Sequence, residues 1–135
     1  MTLELRLDPD AKLAHSLRIR AHQLVTDISP AEGGEDAGPS PHDLYDAALG
    51  ACKSLTVLWY ARKKGIPVDD IQTLVERDDA QERKGVYRLT ATLKIHGSLS
   101  DAQLQELQAV AQKCPVHKLM TAVSTEIATR VERLP

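Results

Sequence analysis

The sequence predicts one α+β domain, spanning residues 1–135, in which antiparallel hairpins are packed against two helices. Several short runs alternate apolar and polar residues, as half-buried strands do. One long segment has the start and stop signals of a helix, and a second segment has an amphipathic stripe behind its own start signal. No internal repeat or low-complexity tract interrupts the pattern. The expected order of elements is β-β-β-α-β-β-α-β.

Three strands are expected before the first helix. Leu3, Leu5 and Leu7 alternate with polar residues, which predicts a half-buried strand with the three leucines on one face. A turn at DPDAK leads to residues 13–20, which alternate again with Leu17 and Ile19 inward. Residues 21–27 continue that strand or form a third one.

A loop rich in breaking residues follows these strands. The segment SPAEGGEDAGPSP, residues 29–41, contains three glycines and three prolines and has no periodicity. A loop of this length in a small domain is more often functional than idle. We therefore expect this loop to contribute to a site.

The first helix is marked at both ends. Ser40 suits the N-cap, Pro41 suits the first helical position, and Asp43 stands where a capping box has its acidic member. The basic residues 62–64, followed by Gly65, suit a helix C-terminus.

The middle of this helix is apolar on nearly every side. Residues 47–59 contain Lys53 as the main exception. Such a helix is buried on most sides, and one domain of 135 residues can hardly cover it alone. We therefore expect a dimer in which this long central helix is buried.

A hairpin and a second helix complete the predicted domain. Residues 71–77 and 86–96 alternate as strands on either side of the polar turn DDAQERKG. The second helix begins after Ser100, and Gln103 completes its capping box. Its expected apolar stripe continues toward Cys114 and consists of Leu104, Leu107, Val110 and Ala111.

The last strand is expected over residues 124–132. Within this range Thr125, Ile127, Thr129 and Val131 alternate with other residues, which predicts one strand face.

The composition argues against several classes of partner. A formal net charge of −2 gives no attraction for nucleic acid or an anionic membrane. The few aromatic residues, Trp59, Tyr45, Tyr60 and Tyr87, do not suffice for a base-stacking surface. No signal peptide is recognisable, and the most apolar segment, residues 47–61, is too short to span a bilayer. We expect a cytoplasmic protein.

The two cysteines are the strongest candidates for chemistry. In a reducing compartment, cysteines with a function are more often catalytic, redox-sensing or metal-binding than structural. Cys52 lies near the centre of the long helix, where simple packing is the alternative. Cys114 precedes Pro115, and a short helix opening there favours a thiolate, as do Lys113 and Lys118.

A zinc site is a weaker alternative. Cys52, Cys114 and His117 supply three ligand types that zinc accepts, and His42 is available as a fourth. The chain has no Cys-x-x-Cys pair, and His15 is interpreted as an ordinary strand or surface residue, as are His22 and His96.

Two segments resemble the signatures of the OsmC/Ohr superfamily, which contains osmotically inducible protein C and the organic hydroperoxide resistance proteins. They are GGEDAGPSPHDLYDAALGACKSLTVLWYARKKG and LSDAQLQELQAVAQKCPVHKLM, in the family's order. The resemblance implies an OsmC-like fold in which two chains intertwine as a homodimer. It also implies a thiol peroxidase for organic hydroperoxides, with Cys52 as the peroxidatic and Cys114 as the resolving cysteine. The two would form a disulfide that an external dithiol, such as a dihydrolipoyl group, reduces, without a metal or prosthetic group.

The chain departs from the family pattern beside its first cysteine. His42 stands where better-studied members have a Glu that pairs with an Arg supporting the thiolate. Asp43 follows it, but one step along a helix turns a side chain by about 100°, and capping is the preferred role for Asp43. Arg18 and Arg20 are the candidates for the supporting Arg. The segment PSPHDLYDAALGAC resembles a divergent OsmC-like subgroup.

A function without turnover is the alternative. The same fold would then serve as a redox sensor or a small-ligand binder, with His42 and the loop of residues 29–41 shaping a pocket at the dimer interface. A reactive Cys52 with negligible catalysis would distinguish it from a peroxidase.

Overall fold

The computed structural model describes residues 1–135 and confirms the α+β class. The elements in chain order are β1 (Leu3–Leu7), β2 (His15–Ile19), β3 (His22–Thr26), α1 (Pro41–Lys64), β4 (Asp70–Asp78), β5 (Arg88–His96), α2 (Asp101–Gln112) and α3 (Pro115–Thr121), with single 3-10 turns at Pro30–Glu32 and Glu82–Lys84. No helix combines the length and apolar character that crossing a bilayer requires.

The chain divides into two compact units. The first unit contains residues 1–50 and 74–92, and the second contains residues 51–73 and 93–135. Each unit is described below by its own residues.

The first unit contains the three-stranded sheet β1-β2-β3. Both strand pairs are antiparallel, and Leu17 lies opposite Leu5 on one side and Leu24 on the other. Leu17 is buried as expected, but Leu5 is 54% exposed, and all of β1 is exposed. The prediction that β1 is a half-buried strand is therefore wrong for the single chain, because no layer of this chain covers its leucines.

The loop before α1 is organised by a buried carboxylate. Oδ1 of Asp27 accepts the N–H of Ile28 at 2.8 Å, while Oδ2 accepts the N–H groups of Glu35 and Ala37, each at 3.1 Å. These bonds, that from Ala37 foremost, lower the pKa of Asp27. Glycine is required at position 34, because a Cβ there would lie 2.2 Å from the carbonyl oxygen of Ile28.

The predicted start of α1 is confirmed. The backbone N–H of Asp43 donates to Oγ of Ser40 at 3.1 Å, and the N–H of Ser40 donates to Oδ2 of Asp43 at 2.9 Å. Asp therefore completes the reciprocal pair that Glu or Gln usually completes.

Only one side of the later turns of α1 is buried. Val57 and Ala61 are fully buried, but Leu55 and Trp59 are 67% and 62% exposed. The expectation that this helix is buried on most sides is therefore not met within one chain, since its second apolar face has no cover here.

The core of the second unit is formed where α1 and α2 supply their apolar faces. Its buried residues are Val57, Ala61, Ile66 and Leu107, and partly buried side chains of β4 and β5 pack against them. The capping box of Ser100 and Gln103 is confirmed at the start of α2. Leu104, expected on the buried stripe, is instead 48% exposed.

The strands β4 and β5 form a two-stranded sheet. Along β5 every second residue is partly buried, as the sequence predicted. The N–H of Asp69 donates to the carbonyl of His96 at 2.8 Å, which places the start of β4 beside the end of β5, as in an antiparallel hairpin.

The predicted last strand is absent. Residues 124–135 follow α3 without regular structure, and Ile127 and Val131 are 83% and 95% exposed. A strand must pair its backbone groups with a neighbouring strand, and none of the strands of this chain pairs with this segment.

Candidate functional site

The two cysteines meet in the second unit. Helix α1 supplies Cys52, which is half-buried, and the junction between α2 and α3 supplies Cys114, which is fully buried. Both thiols are free, and Cys52 is close enough to Cys114 to raise the pKa of the Cys114 thiol. Cys52 also lies 3.9 Å from Oγ1 of Thr56, one turn further along the helix.

Cys114 caps the short helix α3. Its Sγ accepts the backbone N–H of His117 at 3.4 Å. Burial raises the pKa of the Cys114 thiol, and this exceeds the opposing effects of the His117 N–H and the Lys53 charge. The expectation that the start of this helix favours a thiolate is therefore wrong in net direction, because desolvation is the larger effect.

A buried lysine, Lys53, lies near Cys114. Lys53 is 7% exposed, and its Nζ donates to the carbonyl of Ala111 at 2.8 Å. The same Nζ lies 2.9 Å from Nδ1 of His117. An ammonium group can only donate, so Nδ1 accepts and the ring proton of neutral His117 lies on Nε2.

A second polar cluster lies in the first unit around Arg77. From β4, the Nε of Arg77 donates to Oδ2 of Asp46 at 2.5 Å, and Nη2 donates to Oδ1 of Asp43 at 2.8 Å. The hydroxyl of Tyr87 donates to Oδ1 of Asp46 at 2.6 Å. The buried Asp46 carboxylate is thus paired with a charge and a hydroxyl, as a buried charge requires.

The cluster shifts the pKa values of Tyr87 and Asp43. Burial, followed by the bond to Asp46, raises the pKa of Tyr87 to about 12. The N–H of Ser40, followed by Arg77, lowers the pKa of Asp43. At neutral pH Asp43 is therefore a carboxylate, and the Tyr87 hydroxyl keeps its proton and donates it.

His42 belongs to the first unit. Its Nε2 lies 2.9 Å from Oε1 of Glu82, and its ring meets Tyr87 edge to face, with centroids 6.0 Å apart. An open cavity of about 400 Å³ lies here, lined by Pro41, His42, Tyr45, Glu82 and Tyr87. The polar contacts of His42 thus run within the first unit.

The two arginines proposed from the sequence occupy the sheet of the first unit. Arg18 lies on β2 and donates to Glu4 at 3.3 Å, with both side chains at least half exposed. Arg20 is exposed in the turn between β2 and β3, with a φ of 55°. The arginine that binds an acidic side chain of α1 is Arg77 instead.

Sequence reasoning missed four residues of these clusters: Lys53, Asp46, Arg77 and Tyr87. A signal existed for Arg77, because alternation along β4 places it on the partly buried face of Ile71 and Val75. Asp46 follows Asp43 by three positions, which puts both on one helix face. No local signal distinguished a buried Lys53 from an exposed one.

No group of three or more His, Cys, Asp or Glu side chains is arranged to hold a metal ion. Of the zinc ligands considered from the sequence, His117 faces Lys53 and His42 faces Glu82. Nδ1 of His117 already binds Lys53 and is therefore not free to bind a metal ion.

The chain is similar to a known family in sequence and in structure. The family model described as OsmC-like protein matches residues 33–129. An OsmC like protein from Mycoplasma pneumoniae is 20% identical, with a TM-score of 0.71 over 90% of this chain and 87% of that chain.

Two further structures have related names. An organic hydroperoxide resistance protein OsmC from Legionella pneumophila is 18% identical, with a TM-score of 0.62 over 90% of both chains. The organic hydroperoxide resistance protein OhrB of Bacillus subtilis is 20% identical, with a TM-score of 0.58 over 90% of this chain and 92% of that chain. No curated protein matches significantly.

Proposed function

The chain belongs to the OsmC-like protein family, and from this premise we propose that it is a thiol-dependent peroxidase that reduces organic hydroperoxides to alcohols. The observation that supports this most is the proximity of half-buried Cys52 to buried Cys114, shown by the influence of Cys52 on the pKa of the Cys114 thiol. One thiol is partly accessible to a small substrate, and the other is next to it and shielded from solvent. Two structural relatives that are named organic hydroperoxide resistance proteins agree with a role in peroxide stress.

The proposed first step takes place at Cys52. Its thiolate attacks the O–O bond of the hydroperoxide, the sulfur becomes a sulfenic acid, and the departing alkoxide takes a proton to become the alcohol. The partial exposure of Cys52 suits this role, because the peroxide must reach the sulfur.

The proposed second step uses Cys114. Its thiolate attacks the sulfur of the sulfenic acid on Cys52, a disulfide forms, and hydroxide leaves and is protonated to water. An external dithiol, for example a dihydrolipoyl group, then reduces the disulfide by exchange. In this scheme the chain needs no metal and no prosthetic group.

We also propose that the working form is a homodimer. Leu55 and Trp59 form an exposed apolar pair one turn apart on α1, and β1 exposes its three leucines. Exposed apolar surface of this kind marks interaction sites in soluble proteins.

Peroxide consumption tests the proposed activity. With cumene hydroperoxide and dithiothreitol, the wild-type chain should turn over, whereas Cys52→Ser should fall to the background of the uncatalysed reaction. Without dithiothreitol, Cys114→Ser should still consume one equivalent of peroxide and accumulate a sulfenic acid that dimedone traps. Equal rates for the wild type and Cys52→Ser would eliminate the proposal.

A small-ligand or sensor function is the second candidate. The cavity of about 400 Å³ beside His42 supports it, since this volume falls in the range of small-molecule sites. The same assay distinguishes the two functions. A sensor would form the sulfenic acid or the disulfide once and would then show negligible turnover with dithiol present.

A further inference from the structure

Lys53 is a buried cation whose polar partners are neutral. Its ammonium donates to the carbonyl of Ala111 and to the ring of His117, and the side chain is almost wholly removed from solvent. The ion pairs formed by arginines use Arg18 and Arg77, and none of the ion pairs of the chain includes Lys53. A buried charge without an opposite charge is costly, so this arrangement needs a reason.

The groups around Lys53 identify the anion that its positive charge can stabilise. They are the carbonyl of Ala111 at the end of α2 and Cys114 with His117 at the start of α3, and Cys52, which precedes Lys53 in the chain, is near Cys114. Only the two thiols among them can become negative. The Lys53 charge favours the thiolate of Cys114 and thereby opposes the effect of burial on that thiol.

We propose that Lys53 is the counter-ion of the Cys114 thiolate and that His117 holds the ammonium group in place. The inference rests on the proposed function, because it assigns the charge that prepares Cys114 to attack the sulfenic acid on Cys52. In that attack the S–S bond forms, the S–O bond breaks, and the leaving hydroxide is protonated to water. Lys53 acts through Cys114 and is therefore a positioning residue.

Thiolate titration in the Cys52→Ser protein tests this directly, because Cys114 is then the only thiol. The ultraviolet absorbance of the thiolate is followed against pH, and the titration of Cys52→Ser/Cys114→Ser is subtracted because it contains the same tyrosines. Adding Lys53→Met should raise the midpoint by about one pH unit, the lower end of the effect of a nearby opposite charge. At a pH below the midpoint this means about tenfold less thiolate.

Two further variants make the result specific to the buried charge. Lys53→Arg keeps a positive charge and should return the midpoint toward that of the Cys52→Ser parent. Lys113→Met removes the exposed lysine next to Cys114 and should leave the midpoint unchanged, because an exposed charge is screened. An unchanged midpoint in Lys53→Met would overturn the proposal.

A measurement on the unaltered chain does not depend on the folding of any variant. Nitrogen NMR of the His117 ring should show the neutral tautomer with its proton on Nε2, because Nδ1 accepts from Lys53. A proton on Nδ1 would overturn the proposed contact. If wild type lacks peroxidase turnover but the midpoint still moves in Lys53→Met, the proposed function fails and this inference stands.

Discussion

At the scale of single residues, the first unit shows how a buried carboxylate is held. Asp46 is 7% exposed and accepts from both Arg77 and Tyr87. Removing either donor leaves part of a buried charge unsatisfied, which costs more than the bond itself contributes. The cluster therefore fixes the start of α1 to β4 through side chains rather than through backbone bonds.

Tyr87→Phe tests this dependence. The substitution keeps the ring and removes the hydroxyl that donates to Asp46, so the free energy of unfolding should fall by about 2 kcal/mol, as for a hydrogen bond to a charged group. Urea unfolding measures the change, with Tyr45→Phe as the control, because Tyr45 is 48% exposed. An equal effect of the two substitutions would contradict the role of the Asp46 bond.

The buried thiol Cys114 contrasts with the buried carboxylate Asp46, because burial favours the neutral form of Cys114. Cys114 is fully buried, and desolvation raises its pKa although Lys53 and the His117 N–H oppose it. In the proposed mechanism Cys114 is the resolving thiol and its target is already adjacent, so it needs less reactivity than the peroxidatic thiol.

At the scale of elements, the loop of residues 29–41 is ordered by hydrogen bonds to Thr26 and Asp27, which precede it. Asp27 gathers three backbone N–H groups, and Thr26 donates its hydroxyl to the carbonyl of Pro39 at 2.8 Å. Gly38 is required nearby, since a Cβ there would lie 2.3 Å from the carbonyl oxygen of Val25. These contacts place Ser40 where α1 begins.

Asp27→Asn should change how stability depends on pH. The folded pKa of Asp27 lies below its ordinary value, so the carboxylate adds stability that is complete above the unfolded pKa of about 3.9 and is lost as pH falls through the folded pKa. Asn cannot supply this contribution. The difference in urea midpoint between the wild type and Asp27→Asn should therefore be larger near neutral pH than in acid.

Asp36→Asn is the matched control for this loop. Asp36 is exposed with a φ of 52°, a conformation that Asn also tolerates. The urea midpoint of Asp36→Asn should equal that of the wild type both near neutral pH and in acid. If the urea midpoint of Asp27→Asn differs from that of the wild type by the same amount at both pH values, the Asp27 carboxylate does not explain the difference.

At the scale of the whole molecule, each unit leaves apolar surface uncovered. In the first unit these are the leucines of β1, and in the second unit they are Leu55, Trp59 and the segment with Ile127 and Val131. Apolar side chains whose sequence patterns predicted burial are therefore exposed in the single chain. A second copy that covers them would make these predictions consistent with the structure.

Light scattering of the purified chain tests the proposed dimer. The wild type should have twice the mass of the chain, and Leu55→Asp should shift the population toward monomer, because a charge would then lie on an apolar contact surface. Leu104→Asp, at an exposed leucine of α2 outside the α1 face, is the control and should leave the mass unchanged. A wild type with the mass of one chain would exclude the dimer.

The sequence by itself determined the features that depend on neighbours along the chain. The reciprocal cap of Ser40 and Asp43, the capping box at Ser100 and the alternation of β5 were all predictable. Each arises from residues at most a few positions apart, where geometry follows from local spacing. The two signature segments likewise indicated the OsmC-like family, which the comparisons confirm.

Only the tertiary structure decided the features that depend on distant residues. Arg77 meets Asp46 across 31 positions, and Lys53 meets His117 across 64. Burial then set the direction of the Cys114 pKa, which the local sequence around it had suggested wrongly. Charge placement and desolvation are properties of the packed chain, so no local pattern in the sequence contains them.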